Sequence, residues 1–188
     1  MSELNFLKNY FKNLSNLINN EKHFDNLILT KKILCETNDR GNKTLIFGNG
    51  GSSAIASHFS VDLTKNAKVR CVNYNETDLI TCFSNDYGYE KWVEKAIEFY
   101  ADKGDSLILI SSSGNSLNMI NAANFAKESK INKIITFTGN DKNNNLNKLG
   151  DVNFWVNSKS YNLIENTHQA LLLSLVDLII GKSEYPPN

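Results

Sequence analysis

The chain has 188 residues, enough for one domain with a full hydrophobic core. Twenty basic residues balance twenty acidic ones and no run of Lys or Arg occurs, which argues against a nucleic-acid or membrane surface. Cys35, Cys71 and Cys82 are odd in number, widely spaced and form no CxxC pair, so free thiols of a reducing compartment are expected.

The opening "MSELNFLKNYFKNL" has no uninterrupted apolar core, so no signal peptide is read there. No segment offers the roughly 18 consecutive apolar residues of a membrane span, and a cytoplasmic protein is expected. Leu4, Leu7, Phe11, Leu14 and Ile18 recur at spacings of three and four, which predicts a helix over 4–19. A second helix is expected over 22–38, with Gly41 as its stop.

The character then changes. "KTLIFG", "KVRCVNY", "DSLILIS", "NKIITFT" and "DVNFWV" are short runs rich in β-branched and aromatic residues. Helical patterns lie between most of them, at 52–65, 88–101 and 116–129, and a final helix is expected over 160–180. "GNDKNNNLNKLGD" reads as a polar loop with one helical turn. The two prolines, Pro186 and Pro187, leave the body without a Pro-rich linker. Nearly all-apolar strands alternating with helices predict an α/β fold, a three-layer doubly wound sandwich around a five-stranded parallel sheet. Residues 1–188 are read as one domain, a helical hairpin over 1–40 followed by an α/β core over 41–181.

Two strand-to-helix loops carry the chemistry. Gly48-Asn49-Gly50-Gly51-Ser52-Ser53 fails as a dinucleotide fingerprint, because Ser53 stands where the third Gly belongs and the second strand ends in Asn. It fails as a Walker A loop for want of GK[ST]. Gly50 and Gly51 still let backbone N–H groups approach an anion at a helix N-terminus. A tight turn with a Ser cap explains this loop alone equally well. The second loop, Ser111-Ser112-Ser113-Gly114-Asn115-Ser116, repeats the grammar, and both fall at the carboxyl edge of the sheet, where ligands of open α/β sheets bind. A capping role accounts for Ser116 but leaves the other hydroxyls unused. A small phosphorylated metabolite is the expected ligand.

"GNGGS…HF…DLT", "SNDYGY" and "ISSSGNS", in this order and spacing, resemble the SIS (sugar isomerase) domain, and more narrowly its phosphoheptose isomerase branch. The resemblance covers nearly the whole chain. It implies an enzyme that interconverts a ketose and an aldose phosphate, such as a heptose 7-phosphate, through an enediol. It also implies a homotetramer with active sites between subunits. By the same resemblance Ser52, Ser111, Ser113 and Ser116 hold the sugar phosphate, Gly50, Gly51 and Ser112 also touch the substrate, and Asn49, Asn85 and Asp86 line the sugar pocket.

The resemblance further implies a zinc site and a catalytic base, and here the chain departs from the pattern. His58 is present, but the base position holds Asp62 in place of Glu, and Glu165 stands in place of a Gln. Leu173, eight residues after Glu165, occupies the position of the second zinc His. Shortening Glu to Asp withdraws the carboxylate by roughly 1.5 Å. A misplacement of about 1 Å costs on the order of a hundredfold in rate. His58, Asp62 and Glu165 remain as candidate zinc ligands, with Asp62 as base and Glu165 as its acid partner. His168 is read as structural. The competing expectation is a non-catalytic protein that binds sugar phosphates or, like one branch that also lacks the last zinc His, the bacterial replication initiator.

Overall fold

The computed structural model describes residues 2–184; Pro186 and Pro187 lie outside them. Two helices, α1 (Glu3–Ile18) and α2 (Glu21–Asp39), form the leading hairpin. The core follows as β1 (Thr44–Gly48), α3 (Gly51–Lys65), β2 (Cys71–Val72), α4 (Thr77–Tyr87), α5 (Trp92–Tyr100), β3 (Ser106–Ser111), α6 (Leu117–Glu128), β4 (Lys133–Thr138), β5 (Val152–Trp155) and α7 (Tyr161–Ile180). The five strands are all parallel in the order β2-β1-β3-β4-β5.

The strands read as continuous apolar runs because both faces are covered. Ile46, Ile108, Ile110, Ile135 and Phe137 point to the side holding α2, α3 and α7, where they meet Leu34, Phe59, Leu63 and Leu172. Leu45, Phe47, Leu107 and Leu109 point the other way, to Trp92, Ala96 and Ile97 of α5 and Met119 and Ala122 of α6. His168 belongs to the first layer. It is fully buried, lies edge-on to Phe137, and its Nε2 is 3.0 Å from the carbonyl oxygen of Thr138. The structural reading of His168 therefore holds.

Two expectations need correction. The helix expected over 88–101 starts later: Gly88, with a φ of 91°, ends α4, a single 3-10 turn, Tyr89–Lys91, follows, and α5 begins at Trp92. The whole of α4 went unread, although Leu79, Ile80, Phe83 and Tyr87 give it a stripe. Its exposed Thr, Asn and Asp residues masked that stripe. The edge strand expected through "KVRCVNY" shrinks to Cys71–Val72, because Lys68 takes a positive φ of 59° just before it. By length and composition alone α7 would also suffice to cross a membrane, although it holds no unbroken apolar run of 18 residues. One of its faces, including Ile164, Leu171, Leu172, Leu175 and Val176, is packed in the core.

At the amino ends of the strands, β1 and β3 are tied by a buried acid. Asp105 is 0% exposed and accepts from the Lys43 backbone N–H at 2.9 Å, the Lys43 ammonium at 2.7 Å and the Asp102 N–H at 2.8 Å. Burial works against the charge on Lys43, but its hydrogen bonds to Asp102 and Asp105 outweigh this and hold its pKa above the ordinary value. Replacing Asp105 by Ala strands a half-compensated ammonium. Urea unfolding of Asp105→Ala should report a loss of about 3 kcal/mol.

Burial also pushes the His168 pKa down, to about 4. The unfolded imidazole takes a proton near pH 6.5 and the folded one resists it, so this residue's contribution is complete above pH 6.5 and is lost as the pH falls through 4. Thermal melts between pH 7 and 4 should show a fall in stability that is shallower in His168→Gln.

Candidate active site

The carboxyl ends of β1 and β3 lie side by side, Gly48 opposite Ile110, so the two loops open onto one cleft of about 110 Å³. Asn49, Ser52, Ser111, Ser112, Ser113, Ser116, Tyr161 and Glu165 border it. The structure thus brings together all four serines assigned to the phosphate, with Ser112, Asn49 and Glu165.

The hydroxyls are not used up in capping. Gly50, with φ 53°, occupies the N-cap position of α3, so Ser52 is not a cap but a buried residue of the first turn. Ser116 stands at the N-cap of α6 yet makes no side-chain cap bond; its hydroxyl instead accepts from Ser111 Oγ at 3.1 Å. Ser112 Oγ is buried and has no hydrogen-bond partner among the described residues. A buried hydroxyl without a partner is costly, and a ligand oxygen in the cleft would satisfy it. No Lys or Arg borders the cleft. What it offers an anion is hydroxyls and the positive ends of α3 and α6.

Asn49 is held in one orientation. Its Oδ1 accepts from Asn118 Nδ2 at 2.9 Å and from the Tyr89 hydroxyl at 3.1 Å, while its Nδ2 donates to Asn118 Oδ1 at 3.0 Å. One amide hydrogen remains for a ligand oxygen. Asn118 and Tyr89 were missed in the sequence, although both lie within the quoted motifs or just beyond them, in "SSSGNSLN" and "SNDYGY".

Glu165 projects from the first turns of α7 against Gly51. A Cβ on Gly51 would lie 2.5 Å from Glu165 Oε2, so only glycine leaves room for this carboxylate at the α3 N-terminus. Asp62 lies elsewhere. It pairs with His58, Oδ2 to Nε2 at 3.2 Å, and its Oδ1 accepts from Asn66 Nδ2 at 3.3 Å. Eleven residues of α3 separate Asp62 from Gly51, roughly 16 Å along the axis. Within one chain, Asp62 and Glu165 therefore do not share a site. His58 is half exposed, so it is not a core residue.

The zinc expectation meets the same geometry. Among the described residues no group of three or more His, Cys, Asp or Glu side chains is gathered closely enough to hold a metal ion. The donors of a single chain do not fit zinc. Asn85 and Asp86 are also apart from the cleft, exposed on α4, where Asn85 Nδ2 donates to Asp86 Oδ1 at 2.9 Å. The reason is common to all four residues. Sequence spacing places side chains along an element but says nothing of the distance between elements.

The comparisons agree with this architecture. The SIS domain family matches residues 9–139. A phosphoheptose isomerase of Aliarcobacter butzleri is 41% identical over 143 residues, 73% of this chain and 75% of that protein. One from Buchnera aphidicola is 33% identical over 177 residues, 91% of this chain and 90% of its own length. Among solved structures, a phosphoheptose isomerase from Neisseria gonorrhoeae superposes with a TM-score of 0.83 at 27% identity, covering 94% of this chain and 96% of that one. One from Francisella tularensis gives 0.85 at 24% identity, covering 97% and 100%, and shows the shared fold. The chain belongs to the SIS domain family, in its phosphoheptose isomerase branch.

Proposed function

We propose that the protein is a sugar-phosphate isomerase, interconverting a ketose and an aldose phosphate through an enediol, with a heptose 7-phosphate as substrate. The observation that carries this reading is the joining of an uncharged phosphate cradle and one carboxylate, Glu165, in a single cleft. The substrate follows the name its relatives carry, phosphoheptose isomerase. A binder without chemistry has no evident use for a carboxylate held beside a bound dianion.

In this mechanism the phosphate sits on Ser52, Ser111, Ser113 and Ser116, and Ser112 Oγ gains its missing partner. The free amide hydrogen of Asn49 holds a sugar oxygen. A base removes the C2 proton of the aldose, or a C1 proton of the ketose, and returns it to the neighbouring carbon. Glu165 manages the proton of the sugar oxygens. Asp62 is the base, supplied to the cleft by a second copy of the chain. Exposed His58 and Val61 on the same face of α3 leave that surface open to a neighbour. The leading helix supports association as well. No residue of α1 is buried, while Leu4, Phe6 and Phe11 are each about 60% exposed. These two surfaces support the reading of a homotetramer with sites between subunits. The same contact would bring His58 and Asp62 of one copy to Glu165 of another, the three donors that a zinc ion would need.

Mixing two dead enzymes tests this. Glu165→Gln and Asp62→Asn should each lower kcat on sedoheptulose 7-phosphate, and the uptake of deuterium at C1 in D2O, by roughly a hundredfold or more. Subunits of the two variants, unfolded and refolded together, should regain activity at sites that draw one intact carboxylate from each copy. Full activity of Asp62→Asn alone would remove Asp62 from the mechanism. Two dead variants with no recovery on mixing would place both carboxylates in one chain's site, against the distances above.

A further inference from the structure

A second cleft, of about 490 Å³, lies at the β5 edge of the sheet, two strands from β3 and its serine loop. The first turns of α2, the end of β5 and the segment after β4 wall it. Nothing in the mechanism above uses it.

Its lining holds polar groups that the fold leaves without partners. His23 is 3% exposed and stacks on Phe154, with ring centroids 6.0 Å apart. It borders the cleft, and no hydrogen bond to its ring occurs among the described residues. Burial lowers its pKa, so the imidazole is neutral and offers one donor and one acceptor. Trp155 Nε1 is buried with no acceptor. Trp92 Nε1 shares that state but is walled in by the core, whereas Trp155 faces the cleft. Lys22 and Lys142 also border it, and neither enters an ion pair among the described residues. The Lys142 ammonium sits over the Trp155 ring, 5.8 Å from its centroid. The positive end of α2 points the same way. Donors and positive charge converge here, with a single carboxylate, Asp25, on the rim.

We propose that this cleft is a binding site for a small anionic sugar. Its acid group lies between Lys22, Lys142 and the Trp155 indole N–H, and its hydroxyls bond to His23 and Asp25. The volume exceeds what a bare phosphate fills and falls within the usual range of small-molecule sites. Phosphate and carboxylate satisfy the same donors, so a sugar phosphate and a sugar acid are the two sources of one chemistry. The proposal is independent of the isomerase reading.

The test uses the full chain and its two indole N–H signals in ¹H–¹⁵N spectra. Trp155→Phe assigns them; if that variant does not fold, through-space contacts between the indole and the Lys142 side chain serve instead. Glucose 6-phosphate, glucuronate, glucose and inorganic phosphate are titrated separately. The Trp155 signal should move saturably with glucose 6-phosphate or glucuronate, the stronger of the two naming the acid, while the Trp92 signal stays. A Lys22→Ala/Lys142→Ala double variant should weaken that response about tenfold or more. A Ser113→Ala/Ser116→Ala double variant, crippled in the serine cleft, should leave it unchanged, which separates the two sites. An immobile Trp155 signal overturns the proposal. So does an equal response to glucose, a response to inorganic phosphate only, or one indifferent to the lysines.

Discussion

The pairing of β1 with β3 decides where everything else in the molecule falls. Thr44 lies opposite Ser106 and Gly48 opposite Ile110, so the strands end level and their loops emerge as neighbours. A slip of one residue would turn every side chain to the other face and separate the loops. Asp105 guards against that slip from the opposite end, where its carboxylate takes backbone and side-chain donors of Lys43. The apolar sheet supplies most of the stability, but it is tolerant of register. The buried ion pair is not, and this specificity offsets the desolvation it costs.

The same register shows how the proposed anion site would work without a cationic side chain. Two helices begin at the level strand ends, and both point their N-termini into one cleft. Serine hydroxyls turn within small limits to meet phosphate oxygens, and the Asn49–Asn118–Tyr89 network sets the one amide that cannot be left to rotate. Arrangement is fixed before the ligand arrives, so little is spent on ordering it. The carboxylate of Glu165 fits among these dipoles because Gly51 has no Cβ to exclude it.

Much of this was legible in the residues. Strands buried on both faces announce themselves as unbroken apolar runs, and all five were read. The serine loop declared itself because it holds more hydroxyls than capping needs. What failed was of two kinds. The polar helix α4 hid its stripe under exposed Thr, Asn and Asp side chains, and the helix read from residue 88 starts only at Trp92. Spacing along the chain also did not show that, within one chain, His58 and Asp62 lie on an outer face of α3 and Glu165 at that helix's N-terminus. Periodicity gives faces, and only the packing of α7 on α3 gives distances. Asn118 and Tyr89 carried no signal of their own, since an amide and a phenol become informative only when their partner is known.

Leu173 is the departure from the family pattern that argued most strongly against activity, and the fold lessens its weight. It lies eight residues beyond Glu165 on α7, roughly 12 Å along the helix axis. That puts it well away from the serine hydroxyls and from the α3 N-terminus. Its side chain is half-buried beside Leu171 and Leu172, which are in the core, so an apolar residue is well accommodated there. The cradle, the oriented Asn49 and the Glu165 carboxylate stand without it. The change at Leu173 falls outside the residues that border the serine cleft, and it leaves that cleft whole within its own chain.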